Sequence, residues 1–316
     1  MRGIWLLSVV VAASSPAIAA AQCPRSGSVA AAALADEGDR TRKVDIDGAI
    51  AKYKAAAELD PASHALWWKL ALAYEAKEDW EREAAACARA EQAAESAEGA
   101  KSHADYYVRH GLALEQLAGH AGDAKGLAEA AALFRTAIAI DPNCAEAYGE
   151  LGLTLLQSDD EAGAMSNLTL AIRKNPATMM YYAPLADLYR RFFFPAEEER
   201  VLKAGISFAR QGDRHLFGLH ALLGDVYESK RDFASALAEY EAAKASCSAD
   251  ACSGHREAFF LLGVAYEEVT PPRDAEALQS LRTFFKLTCK GAARAKYEAM
   301  CEQTTEFARR AGGDLR

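Results

Sequence analysis

Residues 143–176 read NCAEAYGELGLTLLQSDDEAGAMSNLTLAIRKNP, and they contain the clearest copy of a pattern that recurs along the chain. Offsets of 0, +3, +4 and +7 place four of its side chains on one face of a helix: Tyr148, Leu151, Gly152 and Leu155. After a polar turn, Ala164, Leu168 and Ala171 form a second apolar pattern of a small, a large and a small residue, which leads to Pro176. The residue before a proline avoids the α conformation, so a helix ends there. The stretch therefore predicts two helices that are joined by a short turn and end at Asn175-Pro176.

The same two patterns recur along the chain. The first-helix pattern returns five times, with opening residues Trp67, Tyr107, Tyr182, His220 and Phe259. The second-helix pattern returns before Pro61 and Pro142 as Ala49-Tyr53-Ala56 and Ala130-Phe134-Ala137. Pro142 and Pro176 are 34 residues apart, whereas Pro61 and Pro142 are 81 apart, which is two periods plus 13 residues. We place the extra residues near Ala93–Ser102 and in the turn Ala118–Lys125.

This repeat resembles the tetratricopeptide repeat family, whose 34-residue unit is a helix-turn-helix with this aromatic-Leu-Gly-Tyr and Ala-Phe-Ala-Pro signature. The resemblance implies an all-α fold, a right-handed α-solenoid of about seven repeats over residues 27–290. Stability would come from stacking neighbouring helix pairs, because each pair buries too little apolar surface alone. We expect one capping helix over residues 291–311 and a tail over 312–316.

The N-terminus has the pattern of a secretory signal. Arg2 supplies a positive charge, Ile4–Ala13 a short apolar core and Ala19-Ala20-Ala21 a small-residue cleavage site. We therefore predict a signal peptide over residues 1–21, a flank over 22–26 and a mature protein in the periplasm or outside the cell. The apolar run is too short to span a bilayer. The net charge of −9 opposes binding to nucleic acid, since phosphate backbones repel an acidic protein.

Seven cysteines raise the question of disulfides in an exported protein. Cys247 and Cys252 share one predicted loop and form the candidate pair, with a zinc site that includes His255 as the weaker alternative. Cys87 falls at the large apolar place of a second helix, which predicts a buried thiol.

Cys289 and Cys301 form a poorer candidate pair. With a turn at Lys290-Gly291, Cys301 would lie ten residues along the capping helix, roughly 15 Å away. Bridging requires α-carbons closer than about 7 Å.

The motifs of common enzymes and metal sites are missing from the sequence. It has no His-Glu-x-x-His, no Cys-x-x-Cys, no phosphate-binding glycine loop, no dinucleotide fingerprint and nothing that resembles a serine or cysteine triad. We therefore predict a non-catalytic protein with no cofactor and no metal. The rival interpretation of an enzyme or metal carrier would rest on Cys252 and His255.

The resemblance implies that the first helices line a concave face across which a partner segment lies. Side chains at +1, +5 and +8 from each opening residue, with one neighbouring arginine, form the predicted binding surface: Trp68, Leu72, Glu75, Val108, Leu112, Glu115, Leu153, Asp187, Arg190, Arg191, Asp225, Glu228, Phe260, Val264 and Glu267. The Lys and Asn residues with which chaperone-binding relatives hold a terminal carboxylate are absent from these places.

This surface combines apolar side chains with acids and predicts a protein partner, a segment or helix that carries Lys or Arg beside apolar anchors. Two alternatives stay open. The acids could be no more than a solvated face. The protein could instead have a structural role, self-assembling through its repeat ends or through Phe192-Phe193-Phe194.

Overall fold

The computed structural model describes residues 26–99, 101–121, 123–246, 256–290 and 292–315. The signal-peptide prediction, residues 22–25 of the flank and the Cys247–Cys252 pair lie outside these residues. Within them the chain is helical and has no strand. The α-helices are α1 Ser26–Thr41, α2 Ile46–Leu59, α3 His64–Glu75, α4 Trp80–Glu98, α5 Ala104–Ala121, α6 Ala124–Ile140, α7 Ala145–Gln157, α8 Glu161–Lys174, α9 Tyr182–Arg191, α10 Pro195–Phe208, α11 Leu216–Ser229, α12 Phe233–Ser246, α13 Glu257–Glu268, α14 Asp274–Phe284 and α15 Glu298–Arg310.

Helices α1 to α14 pack as seven consecutive pairs, and each pair also packs against the next. The fold is therefore the predicted all-α solenoid. The extra residues lengthen α4 to 19 residues and α5 to 18 residues. No helix in the described ranges combines the length and the apolar character that crossing a bilayer requires.

The turn inside each of four pairs has one geometry. Its central residue has a left-handed φ between 55° and 60°: Glu78, Asp159, Phe193 and Arg231. The next amide donates to the carbonyl five residues earlier, as from Asp79 to Tyr74, which satisfies a carbonyl at the end of the first helix. In three of these turns the next residue is an aspartate whose side chain accepts an amide of the second helix: Asp79, Asp160 and Asp232.

The small residues of the repeat allow the two helices of a pair to approach closely. A Cβ on Gly152 would lie 2.8 Å from Leu168 Cγ, and one on Gly224 would lie 2.4 Å from Tyr240 Cε1. The predicted large apolar side chains, among them Tyr53, Phe134 and Leu168, are fully buried. Second helices α2, α6 and α8 each end two residues before a proline, as predicted.

The C-terminal segment differs from the single capping helix that we predicted over 291–311. Helix α14 runs into a π-helical turn at Phe285–Cys289, a 3₁₀ segment follows at Ala292–Tyr297, and only then does α15 begin. Cys301 therefore lies in the first turn of α15, beside Cys289. The two cysteines form a disulfide with α-carbons 5.7 Å apart. Our prediction that they are too distant is wrong, because it assumed one straight helix.

Candidate partner-binding groove

A groove runs between two neighbouring first helices, α5 and α7. Its volume is about 660 Å³, and its lining comes from those helices and from the 3₁₀ segment Met179–Tyr181: Leu112, Glu115, Gln116, Gly119, Glu150, Leu153, Leu156, Gln157 and Met180. The leucines are half-buried against the main apolar core, and Met180 is exposed. The groove therefore presents apolar walls with two acids between them.

The two acids, Glu115 and Glu150, are buried beside apolar side chains. Glu115 accepts a hydrogen bond from Gln157 Nε2 at 2.5 Å, and Glu150 accepts one from Tyr181 Oη at 3.0 Å. Burial raises the pKa of both carboxyls, that of Glu150 to about 7, and the charge of Glu115 adds to the shift at Glu150. In the described part of the chain, no Lys or Arg forms an ion pair with either acid.

Sequence reasoning found part of this groove. Leu112, Glu115 and Leu153 are predicted binding residues, and the structure brings them together. It missed Glu150, which lies two places after the opening Tyr148. The signal was the neighbouring Gly149: a Cβ there would lie 2.0 Å from Tyr181 Cζ, so the glycine makes room for the tyrosine that bonds to Glu150.

Most of the other predicted acids are already paired with arginines of this chain. The nearest ion-pair distances are 2.5 Å for Glu75–Arg109, 3.9 Å for Asp187–Arg191, 3.7 Å for Asp225–Arg190 and 2.7 Å for Glu267–Arg310. Arg190 also bonds Glu198 at 2.7 Å, and Arg191 pairs with Glu161. Glu228 lies 2.8 Å from Tyr240 Oη. The predicted ladder of acids is thus largely neutralised within the solenoid.

Two predicted groove residues are core residues instead. Val108 is 3% exposed and belongs to the core that continues through α6 and α7. Phe260 is 7% exposed, and its ring centroid is 5.4 Å from that of Phe284. Phe260 is buried because the C-terminal segment packs over α13, where Arg310 also reaches Glu267. The prediction that these two side chains face a partner is wrong.

The remaining predicted residues are half-buried. The Trp68 ring lies 4.6 Å from the Tyr106 ring, Leu72 lines a separate smaller groove with Arg42 and Lys43, and Val264 packs against the C-terminal core. They are not brought together with the groove between α5 and α7.

No protein-family model matches the sequence, and no curated protein matches it significantly. Solved structures do match. The C-terminal part of a TPR repeat-containing protein from Cytophaga hutchinsonii superimposes with a TM-score of 0.61 at 12% identity, over 83% of this chain and 98% of that one. A tetratricopeptide repeat protein from Parabacteroides merdae ATCC 43184 superimposes with a TM-score of 0.54 at 16% identity, over 88% and 99%. The seven helix pairs and these matches agree with the recurring sequence pattern, and the chain therefore has the tetratricopeptide-repeat fold.

Proposed function

We propose that this protein is a non-catalytic scaffold of the cell envelope that binds a segment of another protein. The segment lies in the groove between α5 and α7 and carries a Lys or Arg beside apolar side chains. The tetratricopeptide-repeat fold and the missing catalytic motifs support a role in protein interaction.

The observation that carries the proposal is that neither of the two buried acids, Glu115 and Glu150, forms an ion pair with a Lys or Arg among the described residues. Two carboxyls between leucine walls lose much of their hydration, and burial of charge is unfavourable unless an opposite charge compensates it. An ammonium or guanidinium group from a partner would supply that charge, while the stem of its side chain contacts Leu112, Leu153 and Leu156. The groove volume lies within the range of about 300–1,000 Å³ that is usual for ligand sites.

The proposal predicts that affinity depends on pH. Only the ionised form of Glu150 attracts a cation, and its pKa is raised to about 7 in the free protein. The ionised fraction, and with it the affinity, should therefore rise about tenfold between about pH 6 and pH 8. Titration calorimetry at several pH values, with a peptide that binds the protein, measures this dependence of the affinity on pH. Proton release should accompany binding near pH 7.

Peptide display on the purified protein tests the groove directly. We expect selected peptides to carry Lys or Arg within two or three residues of Leu, Ile or Met. Their affinity should fall at least about tenfold in the Glu115→Gln/Glu150→Gln variant, since a lost charge-assisted contact is worth about 1.5–3 kcal/mol. Leu153→Ala should also lower the affinity, because it removes apolar contact surface from the groove wall.

The matched control is Glu129→Gln, an exposed acid on the second helix α6. It should leave affinity unchanged. Peptides without basic residues, or basic peptides that bind the groove variants as tightly as the unmodified protein, would contradict the proposal.

Export of the protein is part of the proposal. It is supported by the charged, apolar and small-residue order of residues 2–21 and by the Cys289–Cys301 disulfide, a type of bond that persists in oxidising compartments. Mass spectrometry of the N-terminus after cell fractionation tests it. A start near Gln22 in the periplasm or medium is the expected result, and an intact N-terminus in the cytoplasm would contradict export.

One observation favours a second candidate function, self-assembly. Phe192, Phe193 and Phe194 are all exposed, and Phe193 is 90% exposed at the tip of the turn between α9 and α10. Light scattering distinguishes the candidates, because assembly through this turn predicts oligomers that Phe193→Glu dissociates. A protein that stays monomeric at high concentration would exclude self-assembly and leave the scaffold role as the remaining candidate.

A further inference from the structure

Three side chains that can bind metals meet at the junction between the second and third helix pairs. His64 is the first residue of α3, Glu98 is the last residue of α4 and His103 directly precedes α5. One ligand atom of each lies within 4.8 Å of those of the other two, and His103 Nε2 is 3.0 Å from Glu98 Oε1. No other group of three such side chains this close occurs in the described ranges.

An extra stretch of chain creates this cluster. Six of the residues that exceed the repeat period fall near Ala93–Ser102; they extend α4 to Glu98 and supply the loop that carries His103. The backbone of His103 has a φ of +59°, a conformation that costs a non-glycine residue about 1–2 kcal/mol. In this conformation the His103 ring lies beside both other side chains, with its centroid 4.8 Å from that of His64 and its Nε2 atom 3.0 Å from Glu98 Oε1.

One aromatic side chain, that of Tyr106, contacts both imidazoles. His64 Nδ1 lies 2.9 Å from Tyr106 Oη, and the His103 ring stacks on the buried Tyr106 ring with centroids 4.7 Å apart. When Nδ1 of His64 donates to the tyrosine oxygen, Nε2 keeps its lone pair free for a ligand. Metal-binding histidines almost always use their second nitrogen in this way, because the hydrogen bond fixes the tautomer and the ring orientation.

We propose that His64, Glu98 and His103 bind one Zn²⁺ ion, with a water molecule as the fourth ligand. Two imidazoles and one carboxylate are a known protein ligand set for tetrahedral zinc, and imidazole favours Zn²⁺ over Mg²⁺ and Ca²⁺. Bonds of about 2.0–2.1 Å place tetrahedral ligand atoms about 3.3 Å apart. Small side-chain rotations would therefore bring the three ligand atoms within bonding distance of one ion.

The ion would connect the ends of three helices. His64 begins α3, whereas Glu98 and His103 flank the loop from α4 to α5, so one ion would tie this loop to the preceding pair. Because the unfolded chain does not hold the three ligands together, the ion would bind the folded state preferentially and stabilise the junction. The half-buried imidazoles and the exposed carboxylate leave an entry path from solvent.

Calorimetric titration of the untagged, chelator-treated full chain with ZnCl₂ tests the proposal. The titration uses a Cys247→Ser/Cys252→Ser background, which removes the thiols of the alternative zinc site. We expect one ion per chain, the intense visible bands of tetrahedral coordination when Co²⁺ replaces Zn²⁺, and a higher unfolding midpoint with Zn²⁺ present.

Substitutions in the same background assign the ligands. His103→Asn should abolish binding, and because asparagine tolerates positive φ the loop can keep its conformation. Glu98→Gln, at an exposed position, provides a second ligand variant, and Tyr106→Phe should weaken binding by about 10- to 100-fold. His215→Ala removes a half-buried histidine that lies against Asp213 outside the cluster and should change nothing. Absence of binding, or binding that survives in both ligand variants, would overturn the proposal.

Discussion

Glu83 provides the sharpest test of how this solenoid is packed. It is 1% exposed in the first part of α4, and neither carboxylate oxygen accepts a hydrogen bond from any residue that the structure describes. Five other pairs have a fully buried alanine at the equivalent place: Ala49, Ala130, Ala164, Ala236 and Ala277. Arg109 forms an ion pair with it, with Nε 3.8 Å from Glu83 Oε1, but this guanidinium also bonds Glu75 at 2.5 Å. Glu83 therefore places a carboxyl group where five other pairs have only the methyl group of an alanine.

The pKa of Glu83 shows what this burial does to stability. Desolvation raises the pKa from 4.5 to about 7, and the Arg109 charge offsets only part of the effect. The unfolded chain then loses its proton near pH 4.5 and the folded chain only near pH 7, so stability falls as the pH rises between these values. The linkage relation gives a loss of about 3 kcal/mol above about pH 7.

Glu83→Gln keeps the shape of the side chain and removes the titration. We predict that the stability of this variant relative to the unmodified protein increases by about 3 kcal/mol between about pH 4.5 and pH 8. Denaturant unfolding followed by tryptophan fluorescence measures the stability of the helix pair that contains Glu83. Three of the four tryptophans, Trp67, Trp68 and Trp80, lie in the same helix pair as Glu83.

The control is Glu81→Gln, because Glu81 is exposed on the same helix and hydrated in both states. Its stability difference should stay constant with pH. A constant difference for Glu83→Gln as well would refute the reasoning, since it would mean that Arg109 fully compensates the buried charge.

Three further predictions concern packing, backbone strain and the disulfide. Gly224→Val should lower the free energy of unfolding by roughly 1–3 kcal/mol, because its Cβ would overlap the Tyr240 ring; an unchanged denaturation midpoint would contradict the close helix approach. Phe193→Gly should raise stability by about 1 kcal/mol by relieving the left-handed φ of +60°, and a lowered thermal midpoint would argue against that strain. Replacing Cys289 and Cys301 with serine should reduce stability by about 2–4 kcal/mol, measured under oxidising conditions; under reducing conditions the two proteins should unfold together, and a persisting difference would show that the loss comes from something other than the bond.

The sequence pattern predicts the fold because each repeat carries its own stop signals and packing residues. Asp60-Pro61, Asp141-Pro142 and Asn175-Pro176 mark helix ends, and Gly152 and Gly224 mark close approaches that the structure contains. These features depend on neighbouring residues or on the two helices of one pair. The spacing of residues along the sequence and the helical face that they share are therefore enough to predict them.

The binding surface was only partly predictable because a helical face does not show what the next element covers. Val108 and Phe260 occupy the same repeat place as Trp68, yet neighbouring repeats and the C-terminal segment bury them. Cys289 and Cys301 meet only because the helix between them is broken by π and 3₁₀ turns. The contact of His64 with His103 depends on the length of an insertion, which no motif describes.

Photo-crosslinking in living cells tests the binding role of the groove most directly. A photoreactive amino acid replaces Leu153 in the groove or, in the control, Arg135 on the exposed side of α6. We predict a specific crosslinked partner from position 153, lost on adding Glu115→Gln and Glu150→Gln, and none from position 135. The same partner crosslinked from position 135, or crosslinking at 153 that ignores the two acids, would contradict the groove as the binding site.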